Sequence, residues 1–186
     1  MAINPIKLTG NWTEGYALDK HMLSSKYIGE DAFGHKQFEN VYTEIGELLY
    51  KLKYNGHHDT TEDIAALAKP FLDEWLEGKG IDIVLPVPPT RRRDIQPVYL
   101  ITEAIAKNCG IPYSSEVLEK SGFEQAKDKK DVKGTIRLLK NAKRKCNILI
   151  IDDLFSTGDT LNECVKALKA DGLVNEIFVL TITKTW

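Results

Sequence analysis

Apolar positions recur along this chain with two different periods, and the change from one to the other marks the elements. From Glu39 to Lys53, Val41, Ile45, Leu48, Leu49 and Leu52 fall on one helical face, and Asn55 and Gly56 close the run. A second helix is expected from Thr60, where Thr60 and Asp63 have capping-box spacing; its stripe is Ile64, Leu67, Ala68, Phe71, Leu72, Trp75 and Leu76, and Pro70 predicts a kink. Residues 81 to 87 (IDIVLPV) then form a short continuous apolar run, the mark of a strand buried on both faces. Pro97 can open a helix bearing Leu100, Ile101, Ala104 and Ile105, which Gly110 ends. Residues 111 to 118 read as a strand, 146 to 151 (CNILII) as the clearest buried strand, 160 to 170 as a helix closed by Gly172, and 177 to 182 as a last strand.

Strands alternating with helices predict an α/β fold: a central parallel sheet flanked by helices. The first forty residues show neither period. They carry Trp12, Tyr16, Tyr27, Phe33 and Phe38 among glycines and polar residues, and read as irregular strands and loops. Residues 1–60 are therefore expected to form an accessory segment with the first helix, and 61–186 the core.

At 186 residues the chain has the length of one domain, and 42% hydrophobic with 28% charged residues is ordinary globular composition. No apolar run approaches a membrane span, and the amino terminus lacks a secretory pattern, so a cytoplasmic protein is expected. Cys109, Cys146 and Cys164 are widely spaced and form no Cys-x-x-Cys pair; they read as reduced core residues. The four histidines show no helical metal-binding pair. Net charge is only -2, yet residues 120 to 145 hold ten Lys and Arg against Glu124, Asp128 and Asp131. Such a block is a solvated face, a nucleic-acid patch or a mobile arm closing on a phosphorylated ligand, and charge alone does not choose among them.

The chemistry concentrates in residues 148 to 161, ILIIDDLFSTGDTL. A buried strand ends in two carboxylates and passes through a Ser-, Thr- and Gly-rich loop into a helix. Ligands bind at that edge of a parallel sheet. Backbone N–H groups and the positive helix end make a phosphate site, Gly158 allows close approach, and the hydroxyls of Ser156, Thr157 and Thr160 can donate to it. Asp159 is expected to cap the helix. Asp152 and Asp153 would repel a phosphate; they suit sugar hydroxyls, or a Mg²⁺ ion chelated by the sugar.

This string resembles the phosphoribosyl-diphosphate (PRPP) motif of the type I phosphoribosyltransferases, in which two acids precede a Thr-Gly-x-Thr core. VLPVPPTRRR (84 to 93), KSGFEQAKDKKDVKG (120 to 134) and IFVLTITKT (177 to 185) resemble the remaining blocks in order, most nearly those of ComF-type proteins. The cysteine zinc module common at the start of that subfamily is absent here, and Gln96-Pro97-Val98 replaces its RGxNQ stretch. The resemblance implies that Asp152 and Asp153 contact the ribose hydroxyls and a Mg²⁺ cofactor, directly or through water. It also implies that Ser156, Thr157, Gly158, Asp159 and Thr160 wrap the 5-phosphate. Pro88, Pro89, Thr90 and Arg91 would form the pyrophosphate loop, with a cis peptide at Pro88 or Pro89. Residues 121 to 133 would be the catalytic loop, with Lys129 or Lys130 closing on pyrophosphate.

The implied partners are PRPP and a small nitrogenous acceptor, with a homodimer allowed, no membrane, and nucleic acid not favoured, since the basic block has few aromatic residues for stacking. The implied activity is transfer of phosphoribose to a nitrogen nucleophile; the alternative is a non-catalytic PRPP or nucleotide sensor, or a nucleic-acid-associated factor. Arg91, Arg92 and Arg93 are a pyrophosphate clamp or a solvated loop. Any hood over an acceptor is expected in residues 12 to 34, with Tyr16, Tyr27, Phe33 and Phe38 as its rings or as ordinary core.

Overall fold

A computed structural model describes residues 3–89, 95–121 and 135–185. Its centre is a five-stranded sheet. Strand β5 (Ile81–Pro86), β8 (Cys146–Phe155) and β9 (Val174–Lys184) are parallel, with Ile150 opposite both Leu85 and Val179. On the far side of β9 lies β2 (Glu14–Lys20), also parallel, and β1 (Ile6–Lys7) closes that edge antiparallel to β2. The strand order is β1-β2-β9-β8-β5. This is the expected α/β architecture: the continuous apolar runs of β5, β8 and β9 are buried on both faces by helices.

Alternate residues of each strand feed two cores. Leu149, Ile151, Phe178, Leu180 and Ile182 face α1 (Glu44–Tyr54), α2 (Thr60–Trp75) and α3 (Pro97–Cys109). Ile148, Ile150, Ile177 and Val179 face α4 (Asp159–Lys169), whose Leu161, Cys164, Val165 and Leu168 are buried. Gly110 ends α3 in the left-handed conformation, as its sequence position predicts. Among the described residues no helix is long and apolar enough to cross a membrane.

Several boundaries differ from the sequence reading, each for a local reason. Helix α1 starts at Glu44 because the Thr43 hydroxyl accepts from the Gly46 N–H, so Val41 falls in a strand and is exposed. Gly46 is required there, since a Cβ would lie 2.0 Å from the His21 carbonyl oxygen. At α2 no capping box forms: Asp59 is the N-cap without a side-chain bond, and Thr60 and Thr61 donate instead to the carbonyls of His57 and His58. The helix runs on through Pro70.

The expected strand over 111 to 118 is reduced to one bridge, Val84 with Tyr113. Pro112 offers only a carbonyl, which takes the Val84 N–H, and the chain then leaves the sheet. It re-forms as β6 (Leu118–Lys120), paired antiparallel with β7 (Ile136–Leu138) inside the basic stretch, where periodicity gave no strand.

The first forty residues are more regular than their sequence suggests. Besides β1 and β2, β3 (Met22–Glu30) and β4 (Lys36–Tyr42) form a separate two-stranded hairpin with two register shifts, which break the alternation a period search relies on. The aromatic residues divide accordingly. Tyr27 and Phe38 pair across the hairpin, with Phe33 exposed at its tip. Tyr16 belongs to the core, edge-on to Phe71 and Trp75. The three cysteines are free thiols.

Candidate functional site

The strand that carries the acid pair is longer than its apolar run. Strand β8 continues to Phe155 because β9 pairs with it throughout: Asp152 opposite Thr181, Leu154 opposite Thr183, Phe155 opposite Lys184. The two carboxylates are therefore held on rigid strand backbone, and alternation sends them to opposite faces. Asp153 points to the α1 side, where Lys53 Nζ lies 2.7 Å from its Oδ2. Asp152 points to the α4 side and accepts the backbone N–H of Asp153 through Oδ1 at 2.8 Å.

Burial first, and then the charge of Asp153, push the Asp152 carboxyl up to about 7. The Lys120 ammonium stands on the same side, and burial lowers its pKa. Beneath them burial pushes the Cys164 thiol upward, leaving it protonated and inert. Thr181, opposite Asp152, keeps a fully buried hydroxyl with no partner among the described residues. Thr183 Oγ1, opposite Leu154, lies 3.2 Å from His21 Nδ1, and burial, reinforced by the Lys53 charge, lowers the pKa of that imidazole.

After Phe155 the chain turns through Ser156, Thr157 and Gly158 into α4. Gly158 has φ +82°, and a Cβ there would sit 3.0 Å from the Phe155 ring. Gly158 itself is the N-cap and its position carries no capping side chain; the Asp159 N–H reaches Thr157 Oγ1 at 3.4 Å, and the N–H groups that follow at the start of α4 are left for a ligand. Asp159, expected as the cap, is instead the first helical residue, and its carboxylate accepts the Thr157 hydroxyl at 2.6 Å. This turn encloses a pocket of about 80 Å³ lined by Asp152 and by Ser156, Thr157, Gly158, Asp159 and Thr160, the volume of a phosphate-sized group.

Asp152 and Thr160 also line a larger cleft of about 490 Å³, with Asp153, Pro88, Pro89, Gln96, Lys53 and Tyr54. Of the residues singled out from sequence, the structure thus brings together Pro88, Pro89, Asp152, Asp153, Ser156, Thr157, Gly158, Asp159 and Thr160. Thr90, Arg91, Arg92, Arg93, Lys129 and Lys130 lie outside the described residues. The expected cis peptide is not found: among the described residues no cis peptide bond occurs.

Sequence reasoning passed over Lys53, Tyr54, Gln96, His21 and Lys120. Lys53 carried a signal, since it falls four residues after Leu49 on the apolar stripe of α1, and a cation on a buried face needs a partner.

A phosphate-sized turn beside an acid pair at the carboxyl edge of a parallel α/β sheet has donors and acceptors that could take a phosphorylated, hydroxylated ligand. No protein-family model matches the chain, and no curated protein matches it. Solved structures resemble it at low identity. Adenine phosphoribosyltransferase from Saccharomyces cerevisiae is 16% identical with a TM-score of 0.48, covering 86% of this chain and 84% of that one. Adenine phosphoribosyltransferase from Leishmania tarentolae is 12% identical with a TM-score of 0.46, covering 97% and 79%. UMP synthase from Leishmania donovani is 16% identical with a TM-score of 0.42; the match covers 86% of this chain and 28% of that one.

Proposed function

We propose that the chain is a phosphoribosyltransferase that binds PRPP, passes its phosphoribosyl group to a nitrogen nucleophile and releases pyrophosphate. The observation that carries this reading is the adjacency of the two cavities. The phosphate-sized turn of residues 156–160 and the acid pair share one continuous strand-loop-helix unit, so a 5-phosphate in the turn sets the sugar hydroxyls against Asp152 and Asp153. Pro88 and Pro89 line the same cleft, which supports their assignment to the pyrophosphate loop.

Among the described residues no three acids, histidines or cysteines gather as a closed metal cage. Two carboxylates on one strand end nevertheless fit Mg²⁺, which keeps several waters and shares its remaining positions with substrate oxygens. The ion, when bound with the substrate, supplies charge neutralisation for the departing diphosphate. The chain itself supplies positioning. The N–H groups of the α4 turn orient the phosphate, Asp152 accepts from a ribose hydroxyl, and Lys53 fixes the rotamer of Asp153. Lys129, Lys130 and Arg91 are assigned by resemblance to the closing of the site over pyrophosphate. The ComF-type pattern is the subfamily this reading favours.

Replacing both acids (Asp152→Asn with Asp153→Asn) should abolish calorimetric binding of PRPP in the presence of Mg²⁺ while circular dichroism stays unchanged. Unaltered affinity would remove the assignment. Screening bases for pyrophosphate release then separates enzyme from sensor: PRPP binding with no release from any base would make the chain a PRPP sensor.

A further inference from the structure

The basic stretch is divided by the fold, and its carboxy-terminal end takes no part in the site above. Residues after β7 cross the opposite edge of the sheet, where the strands begin, and help to enclose a slot of about 370 Å³. Its walls are apolar: Ile83 and Ile148 from the starts of β5 and β8, Leu138 from β7, Leu168 from α4 and Val174 from β9. That size and lining are those of small-molecule sites, which are mostly apolar with a few polar groups to fix orientation.

The rim is charged, and its charges are unequally committed. Asp82 accepts the Asn147 N–H at 2.9 Å and pairs with Arg144 at 2.6 Å. Asp171 accepts the N–H of Ala142 at 2.6 Å and that of Leu173 at 3.0 Å. Both acids thus serve to hold the chain around the slot. Lys140 pairs with Glu116. Lys143, exposed on the same rim, has no acidic partner among the described residues. The uncommitted charge at the mouth is positive.

We propose that this slot binds a small soluble monoanion carrying an apolar ring or short branched chain, its apolar part against Leu138, Ile148 and Val174 and its anionic group towards Lys143. Such a ligand matches the slot twice: it covers apolar wall that would otherwise meet water, and it answers the one rim cation left open. The slot and the phosphate turn lie at opposite ends of β8, so this is a second site, independent of the PRPP reading.

The test is a titration of the full chain with 1-naphthoate, followed by methyl NMR, with inorganic pyrophosphate present throughout to fill any phosphate site. Saturable one-to-one binding is expected, with shifts at Leu138, Ile148, Leu168 and Val174 and none at Leu154 or Leu161. The neutral isostere naphthalene-1-carboxamide, and the acid on a Lys143→Glu variant, should each bind about tenfold more weakly. Filling the slot by Val174→Phe should abolish binding; should that variant fail to fold, Leu138→Phe at the end of a three-residue strand serves the same purpose. The proposal is overturned by absence of saturation, equal affinity for acid and amide, shifts centred on residues 154–161, or full affinity in the folded filled variant.

Discussion

Gly158→Ala tests the phosphate turn at its tightest point. At φ +82° an L side chain occupies the left-handed region, which costs a non-glycine residue about 1–2 kcal/mol. The added Cβ also lies 3.0 and 3.1 Å from Phe155 ring carbons, and that partly buried ring is packed edge-on to Trp12 with centroids 6.5 Å apart, so it yields only by disturbing this aromatic contact. Shifting it adds about 1 kcal/mol, of the order assigned to an aromatic pair. A total near 2–3 kcal/mol in a chain of this length lowers the melting temperature by roughly 4–12 °C.

The loss of function should exceed the loss of stability. The alternative to the clash is a rotated turn, in which the N–H groups at the start of α4 no longer converge, and PRPP affinity should fall at least about tenfold. Thermal melts of the unliganded variant measure the first effect, and calorimetry with PRPP and Mg²⁺ well below the melting temperature measures the second. Tryptophan emission reports the movement of Phe155 against Trp12. A variant that melts several degrees lower yet binds PRPP as the wild type does would refute the phosphate-turn assignment while leaving the steric account standing. One that melts unchanged would refute the steric account itself.

Asp152 gives stability a pH dependence: its folded pKa of about 7 lies above the ordinary 3.8, so the unfolded chain ionises first and stability falls as pH rises between those values. Asp152→Asn should abolish that fall in urea midpoints, and an equal slope in variant and wild type would contradict the burial of this carboxyl. If residues 121–133 close over the site as the resemblance implies, Lys129→Ala with Lys130→Ala should slow turnover far more than it weakens PRPP binding; a pure loss of affinity in a filter-binding assay would move these lysines to ground-state binding. Ser156 stands two residues before Gly158, where the resemblance to type I phosphoribosyltransferases acting on hypoxanthine or guanine implies an Asp at the purine N7, and a neutral hydroxyl cannot take that proton. Little or no pyrophosphate release is therefore expected with either base, and brisk release would show that the residue is not the determinant.

What the sequence disclosed and what it concealed follow from the range of the interactions involved. Strands β5, β8 and β9 are legible because burial on both faces forces uninterrupted apolar runs, and the turn at Gly158 is legible because a glycine among hydroxyl residues between strand and helix is a short-range pattern. The continuation of β8 through Asp152, Asp153 and Leu154 was not, since it depends on β9 pairing beside it, with Thr181 and Thr183 opposite, a partner some thirty residues away in the chain. The β3–β4 hairpin escaped for a related reason. Its side chains are exposed on both faces, so no alternation of apolar and polar residues is imposed, and its register shifts break what remains.

The same distinction accounts for the residues around the acid pair. A motif names groups that touch a ligand through one short segment, whereas Lys53 arrives from α1, a hundred residues earlier in the chain, and Lys120 from the edge of β6. The consequence is electrostatic. Asp153 meets a cation held 15% exposed at 2.7 Å, while burial pushes the neighbouring Asp152 up to about 7, so two carboxylates adjacent in sequence meet different surroundings. That asymmetry comes from the helices packed on each face of the sheet, and it leaves Asp152 as the carboxyl whose ionisation a bound cation would draw out.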